Sequence, residues 1–421
     1  MKLRSAVKST RFAIALATAV SAAACSGVLG LTDPALDPTI GDGGHGDGAV
    51  VGDGQVGDGQ SPRDSGSDAP STCTANLTND GANCGACGHS CQGGTCTGSK
   101  CDPVLVVDNA ATLAPYDIVE DNGFFYFTNL NTSGLSSLAK IAVTAQNSAP
   151  PATILSDWST HEGLPYQVAA GGGKVFFSVY SGSATNGNFA GGVVACTTTS
   201  CPNEVTVPNV DSYAVTTDGT NVVFGALYDD DAGNDHYGIR KSGLTLAPIA
   251  QIVTDLGDNA NYLKIDGAKV YIASPSGVFT CPITGCGGNA TTLNTLDAQE
   301  LAVANGKVYF TSSPFSGTPT VQSLDSTTAP ASLTQIASVV TNPLSIAADA
   351  EFIYFTDVGD TNDATTGKVV RCPVAGCGAS DVNAVTISTG LAKGGNPRGL
   401  VNDATAIYWG SRTGKIWKLA K

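Results

Sequence analysis

One five-residue pattern recurs seven times between residues 124 and 410, and it constrains the fold more than any other feature of this 421-residue chain. Each copy is an apolar, mostly aromatic run that ends in a small or polar residue. Six intervals separate the first copy from the last, with a mean spacing of about 47 residues. The copies are FFYFT at 124–128, KVFFS at 174–178, NVVFG at 221–225, KVYIA at 269–273, KVYFT at 307–311, FIYFT at 352–356 and AIYWG at 406–410.

This spacing is typical of a β-propeller blade with four strands. An alternating strand precedes each aromatic one, as at 300–304, and residues that tolerate positive φ, such as Asn305-Gly306, join the two. The aromatic strands are apolar on both faces, as expected for sheets packed between other sheets. We therefore predict an all-β fold, a seven-bladed β-propeller of four-stranded antiparallel sheets at residues 103–421.

The two ends of the repeat region indicate how the ring closes. After the last aromatic strand only a third strand, 415–419, remains, whereas 104–107 precedes the first repeat with no other partner. We expect 104–107 to complete the last blade. Cysteine pairs with four intervening residues recur at the turn between third and fourth strands, where we expect local disulfides of about 2 kcal/mol each. These pairs are Cys196/Cys201, Cys281/Cys286 and Cys372/Cys377.

Residues 1–24 have a basic start, an apolar run and small residues before Cys25, which predicts a signal peptide. The run Ala22-Ala23-Ala24-Cys25 resembles the cleavage box of bacterial lipoproteins, which implies a lipid on Cys25, although Ala22 replaces the usual Leu. Ser26, which is not Asp, then implies the outer membrane, on its periplasmic or cell-surface side. Cleavage after an Ala-x-Ala pattern, with Cys25 an ordinary thiol, is the alternative. The odd total of 13 cysteines favours lipidation.

Two further segments precede the propeller. Residues 25–72 form a Gly- and Asp-rich linker with almost no large apolar side chains, so we expect a disordered tether, without the register of a calcium loop. Residues 73–102 contain six cysteines, which in an exported chain predict three disulfides, with zinc at Cys84 and Cys87 as the rival. The central NCGACGHSCQGGTC resembles the cysteine motif of plant stigma-specific proteins, without their doubled cysteine.

The long loops of the propeller fall between blades and between second and third strands, which open on the same face. We predict a binding site on this loop face. Its candidates could form an aromatic platform for a sugar or peptide, or a metal or proton-transfer site; loop packing and solvated histidines are the alternatives. These candidates are Trp158, His161, Glu162, Tyr180, Tyr228, His236, Tyr237 and Arg398.

One acidic loop on this face offers hard oxygen ligands on a short segment. Asp229, Asp231 and Asp235 could hold Ca²⁺, the candidate metal, and a solvated acidic turn is the alternative. Sequence signatures of a serine-hydrolase elbow, an H-E-x-x-H zinc site and a P-loop are all missing from the chain.

The chain is strongly acidic, with a net charge of −15, which becomes −19 once the four basic residues of 1–24 are removed. Such a surface repels phosphate backbones, so a nucleic-acid partner is not expected.

The repeats resemble YWTD- and NHL-type propellers over about 315 residues, which implies an architecture more than an activity. We predict a cell-envelope lipoprotein, bound to the membrane by its lipid, that displays a non-catalytic binding or scaffold module for a protein, peptide or glycan. A propeller hydrolase or lyase with a metal on the loop face is the alternative.

Overall fold

The computed structural model describes residues 74–421 except for short gaps, most of them in loops. The gaps are 109–113, 131–135, 146–152, 158–162, 182–183, 186–187, 190, 202–204, 208–209, 230–233, 314–316, 360–365, 382, 392–396 and 412. The predicted signal peptide, the lipidated Cys25 and the tether lie outside the described residues. Residues 70–421 form one compact unit. Within the described ranges, no helix combines the length and apolarity needed to cross a bilayer.

Seven antiparallel sheets of four strands each fill the described part of the chain from Val104 onward. The first strands of neighbouring blades contact one another in a closed ring, so they surround an axis and the fourth strands lie at the rim. The predicted seven-bladed, all-β propeller is confirmed. Blades are numbered here in chain order, and their strands A to D run outward from the axis. Blade 1 comprises Pro115–Asp121, Phe124–Asn129, Ser137–Ala142 and Thr153–Asp157, and blade 2 comprises Leu164–Gly171, Lys174–Tyr180, Gly192–Thr197 and Val205–Thr206. Blade 3 comprises Val215–Thr217, Asn221–Asp229, Asp235–Gly243 and Ala250–Val253, and blade 4 comprises Tyr262–Asp266, Lys269–Ser274, Gly277–Pro282 and Thr291–Asn294. Blade 5 comprises Glu300–Ala304, Lys307–Ser312, Thr320–Asp325 and Leu333–Ala337, and blade 6 comprises Pro343–Ala348, Phe352–Asp357, Gly367–Pro373 and Val385–Leu391. Blade 7 comprises Pro397–Asn402, Ala406–Ser411, Lys415–Ala420 and Val104–Asp108.

Outside the blades, the described residues contain three small elements. They are the hairpin Cys96–Thr97 with Lys100–Cys101, the hairpin Ala184–Thr185 with Asn188–Phe189, and the 3-10 turn Ala379–Asp381.

The aromatic pattern forms strand B of every blade, where it is buried on both faces. In blade 1, Phe125 and Phe127 pack against blade 7, and the Phe125 ring lies 4.5 Å from that of Tyr408. Tyr126, between them in the chain, points to the other face and packs against Phe177 of blade 2. Alternation along one strand therefore joins a blade to both neighbours, and burial of each ring stabilises the fold by about 2–3 kcal/mol.

Strands A and B are joined by tight turns at the positions that the sequence indicates. Asn122 and Gly123 adopt φ values of 52° and 80°, and Asn305 and Gly306 adopt 51° and 70°. Two consecutive residues in the left-handed region make the hairpin turn whose twist matches that of the strands. Asn and Gly at these positions therefore fix the register of the inner hairpins of blades 1 and 5.

Blade 7 combines both ends of the propeller. Val104–Asp108 pairs antiparallel with Lys415–Ala420, with Val104 opposite Lys418. Val107 is almost fully buried in the cluster between blades 7 and 1. Closure of the ring is therefore coupled to core packing rather than to backbone pairing alone.

Disulfides close all three predicted pairs in the blades and organise the cysteine-rich segment. The three blade bonds are Cys196–Cys201, Cys281–Cys286 and Cys372–Cys377. In the segment, Cys84 bonds Cys96 and Cys91 bonds Cys101; Cys73 lies outside the described residues. Because Cys84 is in a disulfide, the zinc rival at this position is wrong.

The cysteine-rich segment packs against the end of blade 7. The His89 ring contacts the carbonyl oxygens of Cys84 and Lys421, and the Gln92 side-chain amide donates to the Thr405 carbonyl at 3.0 Å. The segment therefore lies beside the blade that closes the ring.

Candidate functional site

The A strands begin at the loop face and surround an axial channel, which opens on this face in a cavity of about 180 Å³. We call this cavity the mouth. Among the described residues, blades 1 to 6 contribute to its lining. The lining consists of Tyr116, Asp117, Tyr166, Gln167, Tyr213, Asn261, Tyr262, Gln299, Glu300, Leu344 and Ser345.

Hydrogen bonds between blades hold these lining residues in place. In blade 5, the buried Thr311 hydroxyl accepts the Glu300 backbone N–H at 3.3 Å and donates to the Leu344 carbonyl of blade 6 at 2.6 Å. The Glu300 carboxylate in turn accepts the Ile346 N–H at 3.2 Å. The hydroxyl that ends the repeated five-residue pattern thus ties the rim of the mouth to the next blade.

The same arrangement recurs in three other blades, which explains why several copies of the repeated pattern end in Ser or Thr. The equivalent hydroxyls belong to Thr128, Ser178 and Thr356, and they accept the N–H groups of Asp117, Gln167 and Ser345 respectively. The side chains of Asp117, Gln167 and Ser345 then accept the backbone N–H groups of Val168, Val215 and Gly399 in the following blades.

Tyrosine rings form one wall of the mouth. The ring centroids of Tyr116 and Tyr166 lie 5.2 Å apart with an interplanar angle of 83°, and those of Tyr166 and Tyr213 lie 5.1 Å apart at 76°. Tyr180 stacks on Tyr213 at 4.0 Å. Perpendicular packing of this kind suits the quadrupoles of aromatic rings and makes the wall rigid.

Asp117 is the most deeply buried carboxyl group of the mouth. Its Oδ2 accepts the Val168 N–H at 2.9 Å, and only 7% of the residue is exposed. Burial raises the pKa of Asp117 to about 7, against the opposing effects of the Val168 and Ile118 N–H groups and the positive charge of Lys264. The mouth therefore contains a carboxyl group that titrates near neutral pH.

Strand A of blade 4 carries Tyr262, which lines both the mouth and a second cavity, and Lys264, which lines only the second cavity below. Burial, followed by the charges of Glu300 and Asp117, raises the pKa of Tyr262 well above its usual value, so the phenol stays neutral. Burial also lowers the pKa of Lys264, against the charges of Asp266, Glu300 and Asp117. This second cavity of about 200 Å³, lined mainly by aliphatic residues, extends to the opposite face.

The structure brings one of the sequence-predicted candidates to the mouth wall and places three others on a separate hairpin. Tyr180 belongs to the tyrosine wall. Tyr228 and His236 are cross-strand partners in blade 3, with ring centroids 5.5 Å apart, and Nδ1 of His236 lies 3.4 Å from Asp255. The neighbouring Tyr237 lines a small separate cavity.

The remaining candidates either belong to β-strands or lie outside the described residues. Arg398 is on strand A of blade 7, where its backbone pairs with Gly410. Asp229 and Asp235 face each other at the end of the blade 3 hairpin. Trp158, His161, Glu162 and Asp231 lie outside the described residues.

Possible metal ligands cluster at one place in the described ranges. Cys84, Cys91 and Cys101 have sulfur atoms within 4.8 Å of one another. Among the described residues, no other three His, Cys, Asp or Glu side chains bring their ligand atoms this close together. All three cysteines are in disulfides. The described carboxylates of the acidic loop form no such group.

Sequence reasoning missed most of the mouth because it sought the site in the long loops. A usable signal exists at the starts of the A strands, where proline is followed by a larger side chain and then by a small or polar residue. The segments are Pro115-Tyr116-Asp117, Pro165-Tyr166-Gln167, Pro343-Leu344-Ser345 and Pro397-Arg398-Gly399. The middle residue of the first three lines the mouth.

Comparison with known proteins identifies the fold alone. No protein-family model and no curated protein matches the sequence. A structure of catalytically inactive virginiamycin B lyase from Staphylococcus aureus with quinupristin is 15% identical, with a TM-score of 0.52 over 76% of this chain and 99% of that one. A prolyl endopeptidase is 16% identical, with a TM-score of 0.51 over 74% of this chain and 48% of its own. BamB from Moraxella catarrhalis is 14% identical, with a TM-score of 0.47 over 76% of this chain and 92% of its own.

Proposed function

We propose that this chain is a cell-envelope lipoprotein that displays a non-catalytic β-propeller as a binding module for a protein, peptide or glycan. The observation that carries the proposal is the mouth, a recess of about 180 Å³ with a rigid tyrosine wall and planar polar side chains beneath it. Aromatic rings supply contact area at low entropic cost, and a few fixed polar groups orient a ligand. The mouth is therefore suited to recognition.

Binding at the mouth is testable with peptide and glycan arrays probed by the labelled full chain. Tyr166→Ala removes the ring that contacts both other lining rings of the wall, so we expect it to abolish the array signals. Phe124→Ala is the control, because this aromatic residue is exposed and does not belong to the mouth lining. Circular dichroism and thermal melting verify that both variants fold. Equal signals from wild type and Tyr166→Ala would contradict the proposed site.

The lipid anchor is proposed from the lipoprotein-like box that ends at Cys25. Metabolic labelling with a fatty acid should mark the wild-type chain, and the protein should sediment with outer membranes. Cys25→Ala should lose both properties. Ser26→Asp should keep the label but move the protein to the inner-membrane fraction. Full labelling of Cys25→Ala would exclude lipidation at this residue.

The alternative, a hydrolase or lyase with a metal on the loop face, is favoured by one observation. Asp229 and Asp235 are directly opposite each other at the tip of the blade 3 hairpin, which places two acidic residues at the loop face. Ca²⁺ bound there would raise the melting temperature in a concentration-dependent way. Asp235→Asn should then remove the shift. No shift at millimolar Ca²⁺ would rule out this metal-enzyme alternative.

A further inference from the structure

We propose that the second cavity captures a small, uncharged aldehyde or ketone through a reversible imine bond to the side-chain amine of Lys264. This residue lines the second cavity and does not belong to the mouth lining, so the inference goes beyond the binding function proposed above. Three properties of the described side chains carry it: the size and lining of the cavity, the accessibility of the amine, and the charges around it.

The size and the side chains of the second cavity suit a ligand with a short alkyl group. The cavity measures about 200 Å³, and an apolar cavity of about 150 Å³ is large enough to take up benzene. A carbonyl compound of about six carbon atoms therefore fits beside the amine. Branched aliphatic residues from blades 1, 5, 6 and 7 contribute to the lining; they are Val119, Leu301, Val303, Ile346, Leu400 and Val401.

The amine of Lys264 differs from the other polar side chains of this lining because it has no hydrogen-bond partner among the described residues. The Glu120 carboxylate accepts a backbone N–H at 2.9 Å, and the Asn402 amide donates to a backbone carbonyl at 3.4 Å. The Tyr262 phenol interacts with the side chain of Gln167. Lys264 nevertheless keeps an accessible surface, so a ligand in the cavity can reach its amine.

The charges around this amine favour an uncharged ligand. Asp266 of the same strand, Glu300 of blade 5 and Asp117 of blade 1 all act on Lys264, and Glu120 of blade 1 also lines the cavity. An anionic ligand would be repelled by these carboxylates, whereas a neutral carbonyl compound would not. Burial has the largest effect on the amine and lowers the pKa of Lys264 against these charges. Near neutral pH, more of this amine is therefore in the neutral, nucleophilic form than in an exposed lysine.

The reaction needs only the amine and the carbonyl compound. The nitrogen lone pair attacks the carbonyl carbon and forms a C–N bond, and one amine proton moves to the oxygen. The carbinolamine then loses this hydroxyl with the second amine proton as water, which leaves a C=N bond to Nζ of Lys264. Addition of water reverses the step, so the capture is reversible.

Reductive trapping of the full chain with hexanal tests the inference. Cyanoborohydride transfers hydride to the imine carbon and makes the bond permanent, and mass spectrometry of the peptides then locates the modified lysine. At pH 7 we expect Lys264 to be modified faster than Lys100, an exposed lysine outside the cavity, by about tenfold for each unit by which its pKa is lowered. The ratio of the two rates should fall as the pH approaches about 10.4, where ordinary lysines also lose their proton. Equal or slower modification of Lys264 at pH 7 would overturn the inference.

Two variants and a second probe define the site and the ligand class. Lys264→Arg keeps a positive charge but has no amine that forms an imine, so the fast phase of hexanal modification should disappear. Lys100→Arg, the matched control at an exposed residue, should keep this fast phase. Glyoxylate, an aldehyde that carries a carboxylate, should modify Lys264 no faster than Lys100. Preferential modification of Lys264 by glyoxylate would show a site for anions and overturn the choice of an uncharged ligand.

The outcomes separate this inference from the proposed function. Tyr166 lines the mouth and not the second cavity, so Tyr166→Ala should be modified by hexanal at Lys264 as fast as wild type. Loss of hexanal modification in this variant would tie the reaction to the mouth and overturn the assignment to the second cavity. Array signals that do not depend on Tyr166 would refute the proposed binding site and leave capture at Lys264 unaffected.

Discussion

Replacement of Thr311 by Val tests whether the hydroxyl bridges between blades stabilise the ring. Val has nearly the same shape, so packing is preserved while two interactions are lost: the Glu300 N–H loses its 3.3 Å acceptor and the Leu344 carbonyl its 2.6 Å donor. Leaving a buried polar group unpaired costs about 1–3 kcal/mol, and the Leu344 carbonyl is only partly buried. We therefore expect Thr311→Val to lower the free energy of unfolding by about 2–3 kcal/mol.

Equilibrium unfolding in guanidinium chloride, followed by far-UV circular dichroism, measures this loss through the transition midpoint. Thr334→Val is the control, because Thr334 is exposed on the outer strand of the same blade, and it should change stability by less than about 0.5 kcal/mol. Thr311→Ser keeps the hydroxyl and should recover most of the loss. If Thr311→Val unfolds within about 0.5 kcal/mol of wild type, the bridge contributes no net stability and our account of the repeated hydroxyls is refuted.

Three further perturbations test the pH dependence, the disulfides and the closure of the ring. Burial raises the pKa of Asp117 from 3.8 to about 7, so its native carboxyl group holds a proton that the unfolded one loses. This group alone should remove about 4 kcal/mol of stability between about pH 4 and 7, against the gain from aspartates whose native pKa is lowered, such as Asp349 and Asp403. Denaturant titrations across pH should therefore show wild type losing about 4 kcal/mol relative to Asp117→Asn over this range. The double variant Cys372→Ala/Cys377→Ala should unfold about 2 kcal/mol more easily than wild type, a difference that a reducing agent should abolish. Val107→Ala should lower the free energy of unfolding by about 2–3 kcal/mol, because Val107 is almost fully buried between the first and last blades. Val104, on the same strand, is partly exposed, so Val104→Ala should lower it by less than about 1 kcal/mol. Equal losses of stability would show that core packing does not control closure of the ring.

The candidate site was only partly predictable because its residues are separated widely along the chain. Tyr116 and Glu300 belong to strands of blades 1 and 5, and nothing local to either residue indicates that they line one cavity. Sequence reasoning placed its candidates on the longest loops of the loop face, whereas the mouth is built from the starts of the A strands on that face. Tyr228 and His236 illustrate the difference, since cross-strand stacking on a hairpin accounts for both side chains.

What the sequence alone determined is everything that repeats or is local: the strands, the tight turns, the blade disulfides and the number of blades. Each follows from physical preferences that act within about 50 residues, such as alternation of apolar side chains, positive φ at Asn-Gly, and cysteines close enough to bond. Tertiary structure decided which side chains meet at the axis. Seven A strands converge there only when the ring closes, so the joint burial of Asp117 and the perpendicular rings around Tyr166 are properties of the closed ring and of no single blade.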